Sequence, residues 1–140
     1  ATLEAVQRQI PPDAALVELV QYQPFDPATR QWGDPHYAAY ILTPSGTLKS
    51  VELGEADPIH DALATLRRDL KDPGTSIKQV KDSARALDAL LMQPIRQHLG
   101  STRNILLSPD ANLNLLPFEA LVDENNRYLL ETHNITYLTS

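Results

Sequence analysis

The 140-residue sequence predicts a mixed α/β fold of the α+β kind, and three observations carry that expectation. Apolar residues recur with a strand period up to Leu53, the period changes to about 3.6 after Gly54 and holds to Leu99, and short apolar runs return from Asn104 onward. The predicted order is an N-terminal antiparallel strand meander, two long helices packed on one face of the sheet, and a β-rich C-terminal part.

Taken in order, Leu3, Val6 and Ile10 fall at helical spacing before Pro11-Pro12, which ends whatever precedes it because a residue before proline is pushed out of the α region. Residues 1–12 are therefore expected to be a helical remnant or linker from an upstream region, with one domain, or the N-terminal part of one, over 13–140. Leu16 to Tyr22 is rich in β-formers and apolar on both faces as far as Val20, which predicts a first strand covered on both sides. Residues 24–35 hold three prolines, two aspartates and Gly33 and read as a long loop, whose Phe25 and Trp32 are expected to pin it back onto the sheet. His36–Thr43 and Thr47–Leu53 are the second and third strands, joined by a Pro44-Ser45-Gly46 turn.

Asp57 and Pro58 read as the N-cap and first position of a helix whose stripe is Ile59, Ala62, Leu63, Leu66 and Leu70, closed by Gly74. A second helical pattern runs from about Ser76 to Leu99 on Val80, Ala84, Leu87, Leu91, Ile95 and Leu99, with Gly100 at C′. Pro94 removes the bond to Leu90 and kinks or splits that helix. Lys78, Lys81, Asp82, Arg85 and Asp88 lie off its stripe and read as a wet face. Ile105-Leu106-Leu107 is a buried strand entering a turn, Leu113–Leu116 a second apolar run, and Pro117 opens a short helical turn. Asn125-Asn126 is a loop tip between extended segments around Tyr128–Leu130 and Ile135–Thr139.

Composition narrows the chemistry. A net charge of -6 gives no support to nucleic-acid binding, which wants clustered Lys and Arg. No apolar run approaches the roughly 20 residues that cross a bilayer, so no membrane partner is expected. The chain has no cysteine, which removes disulfides, thiolate metal sites and thiol nucleophiles together and fits a reducing cytoplasmic setting.

Few side chains suggest a site. Asp57, His60 and Asp61 share one helix face at metal-ligand spacing, but they lack a fourth partner, and the expectation is a solvated face with no metal and no cofactor. Asp110, Glu119, Asp123 and Glu124 are clustered carboxylates in which an acid/base pair is conceivable. Turn and helix-start roles explain Asp110 and Glu119 more simply. His133 has no Ser or Cys partner in a recognised arrangement, and Ser108 and Ser140 lack a Gly-x-Ser-x-Gly elbow. No residue is therefore assigned as catalytic.

Ser108-Pro109-Asp110, Leu116-Pro117-Phe118-Glu119-Ala120-Leu121, Tyr128-Leu129-Leu130-Glu131 and Ile135-Thr136-Tyr137-Leu138-Thr139-Ser140 together resemble the opening segment of a CHAT domain. This is the caspase-like domain associated with tetratricopeptide repeats in large bacterial proteins. Pro24-Phe25-Asp26-Pro27, Trp32-Gly33 and Tyr37–Leu42 resemble the family's early hairpin. The resemblance implies an incomplete caspase-like domain, because the family's catalytic His-Gly and later Cys lie downstream of these motifs. None of His36, His60, His98 and His133 is followed by glycine. Two expectations follow: a non-catalytic N-terminal half of a His/Cys-dyad cysteine peptidase, or a scaffolding module that binds protein or peptide partners. The sequence opens on Ala1 without a methionine and closes on a β-rich run, and so reads as an excised fragment, with self-association through an exposed C-terminal sheet edge expected.

Overall fold

In the computed structural model, which describes residues 10–138, one five-stranded sheet is covered on one face by helices. The strands are β1 (Ala14–Tyr22), β4 (His36–Leu42), β5 (Leu48–Glu55), β6 (Asn104–Ser108) and β7 (Asn134–Tyr137), in the spatial order β5-β4-β1-β6-β7. β1, β4 and β5 pair antiparallel, which is the expected meander, whereas β1–β6 and β6–β7 pair parallel. Parallel pairing needs a long crossover, and the helices α1 (Ala56–Lys71), α2 (Ile77–Leu90) and α3 (Met92–Arg96) supply it between β5 and β6. The helical expectation over residues 2–10 lies almost wholly outside the described residues, as do Thr139 and Ser140.

The core follows from the period of two. Ala15, Val17 and Leu19 of β1, Tyr37, Ala39 and Ile41 of β4, and Ile105 and Leu107 of β6 are buried on one sheet face. They pack with Ile59, Leu63 and Leu66 of α1 and with Ala84, Leu87, Leu91, Met92 and Ile95 of the next two helices. The opposite face of β1 is not covered in the same way: Leu16 and Val20 are only half-buried and Glu18 is exposed. The expectation of a strand covered on both sides is corrected here, because Glu18 breaks the outward apolar row and the crossover helices lie on one side.

Several local expectations change for identifiable reasons. The segment 24–35 is not a plain loop. It forms a short antiparallel arm, β2 (Phe25–Asp26) with β3 (Gln31–Trp32), closed by a turn in which Asp26 Oδ1 accepts from Ala28 N and Arg30 takes φ 55°. Phe25 and Trp32 do not pin it to the sheet; they stack on each other edge to face at 4.8 Å and remain 46% and 66% exposed. Helix α1 starts earlier than expected, with Glu55 at the N-cap position, so Asp57 and Pro58 fall inside the first turn and Asp57 caps nothing. Its last turn buries Asp69 rather than Leu70, because Asp69 accepts hydrogen bonds from Ser83 and, at 3.4 Å, from Gln79 of α2. Ser76 caps α2 by accepting from Gln79 N at 3.1 Å.

The long helix does split, at Leu91. A proline at position 94 clashes with the carbonyl four residues back, which is that of Leu90, and α2 ends there. Asp88 sits beside the break with 0% exposure, so the wet-face reading fails for it. Its carboxylate accepts from Arg85 Nη1 at 2.8 Å and from Arg96 Nη1 and Nη2 at 3.0 and 2.7 Å. Arg96 in turn donates to Glu124 from Nε at 3.2 Å and Nη2 at 2.9 Å, tying the break to the loop after β6. Lys81 reaches that loop too, at Asn126 O, and lies over the Tyr128 ring.

After β6 the chain makes two 3-10 turns, Ala111–Leu115 and Phe118–Ala120, which bring buried Leu113, Leu116 and Phe118 under the sheet. Asn126, at φ 62°, forms the expected loop tip, and Val122 bridges Tyr128 across it. The segment after Tyr128 is a helical turn, α4 (Leu129–Thr132), rather than extended chain, because Glu131 Oε2 accepts from Tyr128 N at 2.7 Å and so satisfies the helix start.

Candidate functional site

Open sheets with parallel strands bind ligands at the carboxyl ends of those strands, where the backbone turns out of the sheet. Here that edge is formed by the ends of β1 and β6, and two polar clusters sit there on opposite faces.

On the open face, the antiparallel register sets Tyr22 opposite His36. Tyr22 donates its hydroxyl to Glu52 Oε2, while Glu52 Oε1 lies 3.2 Å from His36 Nδ1 and accepts from Gly54 N at 3.0 Å. The Tyr22 and His36 rings lie 5.8 Å apart. Burial pushes the Glu52 carboxyl up, but the hydrogen bonds from Tyr22, Gly54 and His36 outweigh it and leave the group below the usual glutamate value. The same bond, with some burial, raises the Tyr22 phenol to about 12.

On the helix-covered face, the neighbouring register pair is Gln21 and Tyr37. The Tyr37 hydroxyl lies 2.8 Å from His60 Nε2 and donates to Gln21 Oε1 at 3.4 Å. Burial first, and the Asp110 carboxylate second, push the Tyr37 phenol to about 12. Asp110 stands just beyond β6 and its Oδ2 accepts from Gln21 N at 3.1 Å, joining the two strand ends. Gln21, Tyr22, Gln23, Pro35 and Asp110 line an open cleft of about 530 Å³.

Phenols with such high pKa values are protonated near neutral pH, so Tyr22 and Tyr37 act as hydrogen-bond donors and not as bases. Tyr22 gives its proton to Glu52 and Tyr37 to Gln21, so the polar groups that line the cleft at the strand ends are the Gln21 and Gln23 carboxamides, the Tyr22 oxygen and the Asp110 carboxylate. This edge holds no thiol, since the sequence has none.

The residues weighed in the sequence are not gathered into a site. His60 turns away from Asp57 and Asp61 to meet Tyr37, and among the described residues no group of three His, Cys, Asp or Glu side chains could hold a metal ion. The carboxylates have separate duties. Asp110 holds the end of β1, Glu119 accepts from the Tyr137 hydroxyl, Asp123 accepts from Asn125 N and Arg127 N in its own turn, and Glu124 pairs with Arg96. His133 lies against Thr132 Oγ1 at 2.8 Å, and burial, followed by the charges of Arg96 and Arg103, holds its pKa below the usual histidine value. Ser108 ends β6, and Ser140 is outside the described residues.

Sequence reasoning missed Tyr22, His36, Glu52 and Tyr37. The signal was present in the strand period, since Tyr22 and His36 flank the arm and an antiparallel hairpin must place them opposite one another.

No curated protein matches this chain. A family model does, the CHAT domain, over residues 81–140, which run from within α2 to beyond β7 and include Asp110 and the turn after it. The arm and β4, whose motifs also carried the resemblance, lie outside the matched residues. Over residues 81–140, therefore, this chain is similar to the CHAT domain.

Proposed function

We propose that these residues are the non-catalytic N-terminal framework of a CHAT-type, caspase-like domain whose parent is a His/Cys-dyad cysteine peptidase. The observation that carries this reading is the pairing of the CHAT-domain match with the complete lack of cysteine in the sequence. The parent's chemistry is a histidine-assisted thiolate attacking a peptide carbonyl to form an acyl-enzyme, and this segment has no thiol to offer it. Its contribution is the sheet and one wall of a cleft at the ends of β1 and β6, where Asp110, Gln21 and Tyr22 meet substrate backbone. The setting proposed is cytoplasmic, in keeping with the cysteine-free composition, within a bacterial tetratricopeptide-repeat protein. Among the described residues no helix is long and apolar enough to cross a membrane.

One observation favours a second reading, a scaffold that binds protein partners without cleaving them: the arm holds Phe25 and Trp32 out from the sheet. Exposed aromatics of this kind are over-represented at protein interfaces. The test is a peptide-cleavage assay on the 140-residue chain and on the complete gene product. The first reading expects no turnover from the chain, and turnover from the gene product that iodoacetamide and a Cys→Ala change abolish. Cleavage by the chain alone overturns it, and an inert gene product leaves the scaffold.

A further inference from the structure

The arm between β1 and β4 carries two aromatic rings into solvent on a braced ribbon. Phe25 and Trp32 are register partners, so both side chains leave the same face, where the rings stack edge to face at 4.8 Å. Trp32 is 66% exposed. Gly33 N donates to Pro24 O at 2.6 Å, Gln23 Nε2 to Gly33 O at 3.3 Å, and Ala28 N to Asp26 Oδ1 at 2.9 Å, so the ribbon is held at its foot and at its turn. Pro35 is tied to the start of α1 by the bond from Ala56 N at 2.8 Å. The two strands of the ribbon pair with each other, away from the β7 edge of the sheet. A tryptophan left in water on a fixed ribbon is preorganised for a contact outside the fold, and tryptophan is among the side chains that dominate protein contacts.

The charge around the arm sets the sign of what it can meet. Asp26 and Asp34 lie within the arm and Glu52, Glu55, Asp57 and Asp110 at its foot, all exposed. Contacts place them there: Glu52 bonds to Tyr22 and His36, Glu55 is opposite His36, Asp57 follows Ala56 in α1, and Asp110 holds Gln21 N. The arm itself carries one fixed positive charge, Arg30 at its turn. Among the described residues the Asp34 side chain has no hydrogen-bond or ion-pair partner. A cation over an indole face is attracted by the ring quadrupole, and carboxylates nearby add to that attraction. Lysine or arginine is therefore the side chain that uses both features together, whereas an anionic partner meets like charge and a purely apolar one leaves the carboxylates unused.

We propose that the arm is a docking site for a basic segment of a partner protein, with one lysine or arginine seated on Trp32 and the neighbouring cations set toward the carboxylates at the foot. This rests on the reading of the arm as a protein-binding surface and adds the chemistry of the partner. It is independent of the peptidase reading. The platform is small and exposed, so the contact belongs to the weak, salt-dependent class.

The test is a chemical-shift titration of the 140-residue chain, in which Trp32, the sole tryptophan, gives the one indole N–H signal. Peptides of a single Gly-Ser frame are added separately, carrying lysines, glutamates or leucines. The lysine peptide is expected to shift the Trp32 signal, with an affinity that falls as salt rises. Trp32→Ala, followed at the amides of the arm, is expected to weaken that binding about fivefold, and Asp34→Asn about twofold. Asp82→Asn removes the same charge on α2 and is expected to leave the affinity unchanged. A loss for Trp32→Ala no larger than for Asp82→Asn, or a glutamate peptide that binds as well as the lysine one, overturns the inference. A leucine peptide that shifts Trp32 where the lysine peptide does not overturns the basic partner and leaves the arm as a protein-binding surface. No shift of Trp32 with any peptide overturns both. Circular dichroism confirms that each variant is folded.

Discussion

Replacing Asp88 by alanine is expected to cost about 3 kcal/mol of folding stability. Breaking a buried ion pair by removing one partner costs about 3–5 kcal/mol, because the other charge stays buried. Two features of this site set where in that range the loss falls. Asp88 is fully buried and takes two bonds from Arg96 and one from Arg85, which argues for the upper end. Arg96, however, keeps both bonds to the half-exposed Glu124, and Arg85 keeps its bond to Gln93, so neither cation is abandoned. The low end of the range follows. With an unfolding entropy near 2.1 cal/mol/K per residue, 3 kcal/mol corresponds to a fall of about 10 °C in Tm. Urea unfolding with an unchanged m-value is the assay, since a constant slope shows that the loss is in stability and not in compactness. Replacing Asp88 by leucine together with Arg96 by methionine should recover most of the loss, because well-packed apolar groups often match a buried pair. A loss for Asp88→Ala below about 1 kcal/mol would refute the reasoning, as that is the range of an exposed pair.

Four further outcomes can be checked directly. Glu52→Gln should bring the Tyr22 phenol down from about 12 toward its ordinary 10, seen as a shift of one tyrosine in ultraviolet absorbance titration, because the carboxylate is the first cause of the rise. Tyr22 and Tyr37 are both raised to about 12 in the folded chain, so their contribution to stability is complete below about pH 10 and is lost as pH climbs through 12. Denaturant midpoints should accordingly fall across that window, and less so in Glu52→Gln. Trp32→Ala should change stability by less than about 0.5 kcal/mol, and acrylamide should quench the fluorescence of this sole tryptophan efficiently, since the ring is mostly in solvent. Gly54→Ala should cost roughly 1–2 kcal/mol by urea unfolding: an added Cβ meets nothing within 4 Å, so the loss comes from the left-handed φ of 88° and not from a clash.

The parts of this fold that were legible in the sequence are those in which one periodicity rules a whole element. Leu87, Leu91 and Ile95 announce a buried stripe, and Pro44-Ser45-Gly46 announces a turn between strands, because each statement depends only on neighbours in the chain. What escaped depends on partners far away. Asp88 reads as a surface residue until α3 folds back with Arg96, and Phe25 and Trp32 read as anchors until the arm is seen to pair within itself. His60 looked like a companion of Asp57 and Asp61, but the register of β4 delivers Tyr37 to it instead. The clusters around Tyr22 and Tyr37 were missed for a related reason, since only the register of the hairpin signals them. They are assembled by strand pairing, and no spacing within a single segment encodes them.

The position of β1 between an antiparallel and a parallel neighbour has a consequence for the order of assembly. Its pairing with β4 closes a short excursion, but its pairing with β6 joins Ala14 to Asn104. Closing a loop of that length costs on the order of 4 kcal/mol in chain entropy before any contact is made. The meander and the α1–α2 hairpin can each form from local contacts, so β6 is expected to dock last against a surface already made. Until it does, one side of β1 presents its amides and carbonyls to solvent. A chain emerging from the ribosome would carry that open strand through the synthesis of some ninety residues, the interval in which a chaperone has most to shield.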